Sequence, residues 1–360
     1  MATSFKALES GRDSVVTRNL LHEAIPITGS IVSGTYATEN IKEFSHGMFQ
    51  SIYDYPFLSS SANHILDLTV GYSAVSGLSG TGYPAAAQQD KKINIYNEFA
   101  QVLVGYDENG AIRRFDEDGD LTGGTKIDEA YFFNFTRLLT KDEIKKGSFN
   151  LTLGVSASFT TPFGTGTGSV TLRDYSGSSG YKVNSPAGEY GVLYATGNLL
   201  HGGDATPDEN GNVPAGLLYY QAGVAVVTAS IFQGLLGLNA EVNAATEIAD
   251  AVLTGSSINL NADGIRHRIE NISFNNTTEL NSTVYFCRVN NTDFNYSANP
   301  TYLSSSKMVV KTNSQDLPVS YVTAVGLYSP DNELLAVAKL SEPLKKDPSA
   351  EFTIRVRLDY

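Results

Sequence analysis

Tyr321-Val-Thr-Ala-Val-Gly-Leu-Tyr328 and Leu334-Leu-Ala-Val-Ala-Lys339, joined by Ser329-Pro-Asp-Asn-Glu333, decide the fold class. Apolar residues recur with period two on both sides of the joint, the spacing of strands that show one face to a core. Pro330 presets the backbone for the second position of a tight turn. By period-two counting, Val325 and Leu327 share a face of the first strand, and Leu335 and Val337 share a face of the second. Working outward, Ile269–Phe274, Thr283–Val289, Lys307–Lys311 and Phe352–Leu358 have the same character and are separated by turn residues. Regularly spaced short strands predict an antiparallel β-sandwich or barrel-like domain over residues 256–360. A lone hairpin is marginal in water, so Phe352–Leu358 or another subunit is expected to pair with it.

Upstream, His64–Tyr72, Ala130–Leu139 and Ser148–Val155 read as strands, and Leu217–Tyr220 with Val224–Thr228 as a tight hairpin. Lys92–Tyr106 carries Ile93, Tyr96, Phe99 and Leu103 at helical spacing, and residues 5–22 show a weaker helical period. Thr140-Lys-Asp-Glu143 has the form of a capping box, so Ile144–Lys146 is expected to complete one helical turn before Gly147. Ala240–Val252 is a further helix candidate, capped by Asn239, and Asp204–Gly211 reads as an exposed loop. The expected organisation is an N-terminal mixed β domain (1–155), a turn-rich centre (156–255) and the C-terminal β domain (256–360). The expected fold class is mainly β, with a few short helices.

The chain of 360 residues has a formal net charge of −13. Such a surface repels phosphate backbones and anionic lipid heads, so neither nucleic acid nor a membrane surface is expected as a partner. Ala215–Ala240 is uncharged, but it holds four glycines and several polar residues and fits a buried hairpin better than a membrane span. The N-terminus lacks the apolar core of a signal peptide. Cys287, the single cysteine, sits in an alternating strand and reads as a buried core residue.

Asp116-Glu-Asp-Gly-Asp120 is the sharpest candidate site, because carboxylates at alternate positions can converge on calcium. Leu121 and Ile127 stand where a calcium loop needs glycine and glutamate, so an exposed acidic turn between Ile112–Phe115 and Lys126–Ile127 is expected instead. His22, His46, His64, His201 and His267 do not pair at zinc spacing, and His267 with its flanking arginines reads as a solvated face. Phe163-Gly-Thr-Gly-Thr-Gly168 lacks the lysine of a phosphate-binding loop. No catalytic, cofactor-binding or metal-binding residue is expected, and no enzymatic activity.

Tyr321–Pro343 resembles a hairpin common in tail-fibre and baseplate-associated proteins of tailed bacteriophages: a strand ending in Gly-Leu-Tyr, an Asp/Asn turn, then Leu-hydrophobic-Ala-Val-Ala-Lys. Phe133–Phe149 and Glu351–Tyr360 are similar to uncharacterised structural proteins of contractile-tailed marine and cyanobacterial phages. The resemblance implies a virion structural protein of the tail, baseplate or neck, assembled in the host cytoplasm with copies of itself and other virion proteins. The alternative it leaves open is a host-surface adhesin or fibre-associated protein.

Overall fold

Runs rich in valine, tyrosine and phenylalanine, punctuated by glycine, pair into antiparallel sheets through most of the chain. The computed structural model describes residues 5–9, 11–22, 32–33, 38–79, 86–139, 142–155, 162–163, 168–197, 213–232, 257–295, 303–304, 307–308, 315 and 318–359. Two compact units emerge in place of the expected three: His22–Thr278 forms one, and Met1–Leu21 joins Glu279–Tyr360 in the other.

The smaller unit opens with β1 (Ser14–His22). The larger unit then lays down β2 (Val32–Ser33), β3 (Ile41–Glu43), β4 (Gln50–Tyr53), β5 (His64–Tyr72) and helix α1 (Ala86–Leu103). A short hairpin of β6 (Phe115–Asp116) and β7 (Lys126–Ile127) leads to β8 (Glu129–Asn134), a helical turn α2 (Thr136–Leu139), β9 (Glu143–Ile144) and β10 (Asn150–Gly154). Next come β11 (Ser169–Arg173), β12 (Lys182–Ser185), β13 (Gly188–Gly197), β14 (Val213–Tyr219) and β15 (Val224–Thr228), then helix α3 (Ile258–Arg266) and β16 (Ile269–Ser273). β17 (Asn276–Val289) passes into the smaller unit, which adds β18 (Leu303–Ser304), β19 (Lys307–Met308), β20 (Ser320–Tyr328), β21 (Leu334–Lys346) and β22 (Phe352–Asp359).

A twelve-stranded sheet dominates the larger unit, in the order β2-β16-β10-β11-β13-β14-β15-β8-β5-β4-β3, with β12 beside one end of β13. β8 is buried on both faces. Phe132 stacks on Phe99 of α1 with ring centroids 4.3 Å apart, and Tyr96 and Phe115 close around it. On the opposite face Tyr131 meets Phe232 edge-on at 5.7 Å. At the end of the strand, Phe135 contacts Phe149 and Phe274, which flank β10 and β16. Those strands are far from β8 in sheet order, so the sheet curls until its two regions share one interior.

α1 crosses β5 at Gly71, where a side chain has no room. A Cβ there would lie 2.7 Å from the Lys92 carbonyl oxygen and 2.9 Å from the Tyr96 amide nitrogen. Both are helix backbone atoms, so the contact cannot be relieved by a rotamer change.

In the smaller unit β17 lies between β1 and β22, with β22 running antiparallel from Ser282↔Asp359 to Val289↔Phe352. β20 and β21 form a separate two-stranded sheet. The expected pairing of Phe352–Leu358 with this hairpin is therefore corrected, and no single sandwich spans 256–360: residues 257–278 belong to the larger unit. The expected helix at 5–22 is a strand from Ser14 onward, because β-branched Val15, Val16 and Thr17 suit a ladder and β17 supplies one. Glu143–Ile144 pairs with Asn276–Thr277 instead of forming a helical turn, although Gly147 does take the left-handed conformation (φ 78°). The centre expected to be a turn-rich connection contains β11, β12 and β13, while the Leu217–Thr228 hairpin is found as read. Asp204–Gly211 and Ala240–Val252 lie outside the described residues. The fold class holds: the chain is mainly β, built of antiparallel sheets with few helices.

Gly71→Ala is expected to destabilise the larger unit by about 1–3 kcal/mol, the usual cost of overpacking a closed core. Urea unfolding of the variant should show a lowered midpoint; an unchanged midpoint would mean that α1 does not pack on β5 in this way.

Candidate functional site

Four arrangements bear on function. The first is the loop between β6 and β7, whose residues 116–127 follow the register of the Phe115↔Ile127 pairing. Asp116, Asp118 and Asp120 each offer an oxygen, and these oxygens lie within 4.8 Å of one another. Asp118 and Asp120 are exposed, but Asp116 is fully buried, which corrects the expectation of a wholly exposed turn. Burial pushes the Asp116 carboxyl above its ordinary value, against the pull of Lys126, whose Nζ stands 2.7 Å from its Oδ1. The Gly119 carbonyl accepts hydrogen bonds from Tyr190 Oη (2.8 Å) and Asn184 Nδ2 (3.1 Å), fastening the loop to β12 and β13.

The second arrangement gathers a serine, an acid and a histidine. Ser51 donates to Asp67 Oδ1 at 2.5 Å, and His64 Nε2 lies 2.7 Å from the same oxygen. A catalytic triad needs the imidazole between hydroxyl and carboxylate, so that the ring can take the hydroxyl proton. Here the carboxylate stands between the other two, and nothing in this wiring activates the serine. Sequence spacing gave no hint of the cluster, because β4 and β5 bring it together by pairing.

The third is a buried polar network on β9, β13 and the loops beside them. Lys146 Nζ lies 2.8 Å from Glu189 and 3.4 Å from Glu143, beneath the rings of Tyr181 and Tyr220. Asp174 accepts from the amides of Gly147 (2.6 Å) and Phe149 (3.0 Å) and from Tyr220 Oη (3.3 Å). Burial raises the Asp174 carboxyl to about 6 even though these donors favour its charged form. The network ties the chain before β10 to the loop after β11.

Cys287 is half-buried in β17, where burial pushes its thiol up and keeps it protonated. His267 does not mark a solvated face. Its flanking arginines are buried: Arg266 pairs with Asp263 at 2.8 Å, and Arg268 donates to the Gly154 carbonyl at 2.9 Å while lying over the Phe232 ring.

The fourth arrangement is the β20–β21 hairpin. Its tip is ordered by Asn332 in the left-handed region (φ 63°) and by hydrogen bonds from the Asn332 and Glu333 amides to Ser329. Its base is held by Lys346, fully buried, whose ammonium donates to Asn291 O (3.1 Å), Asn295 Oδ1 (2.6 Å) and Asp347 O (2.8 Å). Register places Val325 and Leu327 opposite Ala338 and Ala336, on a half-buried face. The other face carries Gly326, Tyr328, Leu334 and Val337, and there Tyr328 is 46%, Leu334 52% and Val337 52% exposed.

The Asp174 carboxyl makes a signed prediction. Its folded-state value lies above the unfolded one, so its contribution to stability is present below about pH 4 and lost as pH rises through about 6, up to roughly 3 kcal/mol. Asp174→Asn removes this titration. Between those pH values the wild type should lose stability relative to the variant in parallel urea titrations, and pH-independent separation of the two curves would contradict it.

Comparison with protein-family models, with curated proteins and with solved structures finds no match to this chain.

Proposed function

We propose that the chain is a structural subunit of a tailed-phage virion, of the tail, baseplate or neck, and that it acts by assembling with copies of itself and with other virion proteins. The reading rests first on the three segments that resemble such proteins. The structural observation that carries it is the β20–β21 hairpin, a two-stranded ribbon that displays Leu334 and Val337 on an exposed face, beside Tyr328, whose ring meets Phe5 edge-on at 5.1 Å. Isolated ribbons of this kind are marginal in water, and exposed apolar strand surfaces mark places where another chain packs.

Charge supports self-association at this surface. The whole chain carries −13, which would push two copies apart, but Ser320–Lys346 holds three acidic residues (Asp331, Glu333, Glu342) and three lysines (Lys339, Lys345, Lys346). With Lys346 buried, the exposed ribbon carries three acidic residues against two lysines, so copies meet there with far less repulsion than over the rest of the surface. Assembly needs no reactive group. That agrees with a serine whose hydroxyl is committed to Asp67 and a thiol kept protonated by burial.

The purified protein is expected to run as an oligomer in sedimentation velocity. Leu334→Glu with Val337→Glu should shift it toward monomer while leaving the thermal midpoint of the larger unit within a few degrees. A wild-type protein that sediments as a monomer at all concentrations would remove the self-assembly reading. Labelled antibody raised against the chain should decorate tails of the parent particle by electron microscopy, and decoration of neither tail nor neck would remove the virion reading.

A further inference from the structure

β20 and β21 make a sheet of two strands, so each presents one row of backbone amides and carbonyls with no strand beside it among the described residues. The two outer edges differ. β21 carries Lys339, Glu342, Pro343 and Lys345, and it bulges where residues 340–343 stand opposite the single Thr323. Charges, proline and bulges are the devices that keep an edge strand from pairing with another chain. β20, nine residues long, has neither charge nor proline and keeps an unbroken register from Ala324 to Leu327. Only its first residue, Ser320, is buried, and Thr323 and Ala324 are exposed.

The other edges of the described sheets are guarded or very short. β22 carries Arg355, Arg357 and Asp359, and the sequence of β1 includes Arg18. In the larger unit β3 carries Lys42 and Glu43, β12 carries Lys182, and β2 is two residues long. Among the described residues β20 is therefore the one edge strand longer than two residues with no charge and no proline.

Charge also selects the occupant. A strand that pairs antiparallel with its own copy about a two-fold axis brings each of its charges toward the same charge. For β22 that sets arginines against arginines, and for β21 lysines against lysines. β20 meets its copy with nothing opposed, although each chain carries −13 overall. The contact is also self-limiting, because the guarded edge of β21 then bounds the joined sheet on both sides.

We propose that β20 is a strand-addition edge whose partner is β20 of a second copy, running antiparallel, so that two ribbons join into one four-stranded sheet. This pairing presupposes the self-assembly proposed above and specifies its contact: a ladder of main-chain hydrogen bonds. A two-fold axis perpendicular to the sheet keeps like faces together, so the Leu334 and Val337 surfaces of the two ribbons become continuous.

The test is sedimentation of the full chain in roughly 10 mM salt, where the Debye length of about 30 Å matches the length of the strand. Like charges on two paired β20 strands then repel in whichever register they meet. Ala324→Lys and Ala324→Glu, each alone, should weaken self-association by roughly tenfold or more. Mixing the two in equal amounts should restore it, and Ser341→Lys on the exposed part of β21 should leave it unchanged. Thr323→Lys, also at an exposed position, gives the same reading where an Ala324 variant does not fold. The strand pairing is overturned if the folded Ala324 variants associate as tightly as the unaltered chain, or if their mixture stays dissociated. If Leu334→Glu with Val337→Glu separates the copies while the Ala324 variants do not, self-assembly stands and the strand pairing alone falls. An unaltered chain that is monomeric at every concentration removes both.

Discussion

Burial of β8 on both faces is the constraint from which the larger unit follows. A strand carrying Tyr131-Phe-Phe133 cannot turn either side to water without losing about 1.5–3 kcal/mol per side chain. α1 covers Phe132, and the curled half of the sheet with Phe232 and Arg268 covers Tyr131. Covering both faces requires α1 to approach closely, which makes Gly71 obligatory. It also requires the sheet to bend far enough for β10 and β16 to come back to the end of β8. The aromatic contacts of Phe135, Phe149 and Phe274 are the seam where that return is made.

What could be read from sequence follows from the same physics. β5 and β8 are apolar almost throughout, and the 217–228 hairpin is apolar around a Gln-Ala-Gly joint, so their strand character is local. β13 is not local in this sense. Gly188-Glu-Tyr-Gly-Val-Leu-Tyr-Ala-Thr-Gly197 has glycine at both ends and in the middle, and it becomes a strand because β11, β12 and β14 pair with it. Gly191 fits there because a Cβ would collide with the buried Tyr220 hydroxyl, a relation no window of sequence contains. The Thr140–Glu143 segment reads as a capping box, yet pairing of Glu143–Ile144 with β17 overrides it.

The candidate sites divide in the same way. The alternate carboxylates of Asp116–Asp120 are plain in the sequence, and so is the absence of a glycine and a closing acid. The left-handed turn of Leu121 and the burial of Asp116 are invisible, because the first is an exception to residue preference and the second depends on β6 packing under Tyr96 and Tyr219. Ser51, Asp67 and His64 meet only through the β4–β5 register. Residue types alone would rank that cluster highly as a catalytic site. The order of its hydrogen bonds, with Asp67 between Ser51 and His64, is not that of a catalytic triad.

Lysine has an unusual place in this acidic chain. With thirty-eight acidic residues against twenty-five lysines and arginines, a surface lysine would be expected to serve mainly as diffuse compensation. Instead Lys126, Lys146 and Lys346 are each drawn inward to a cluster of oxygens or carboxylates. Each closes a loop that joins strands: the β6–β7 turn, the approach to β10, and the base of the β20–β21 ribbon. Buried ammonium groups are costly unless oxygens surround them, so each lysine selects one loop conformation over its alternatives. For the ribbon this matters beyond the loop. A two-stranded sheet with an open apolar face has little packing of its own to fix its direction, and the Lys346 contacts at its base supply that constraint. The exposed apolar residues are thereby held in one arrangement, so a chain packing on the proposed assembly surface would carry a smaller ordering cost.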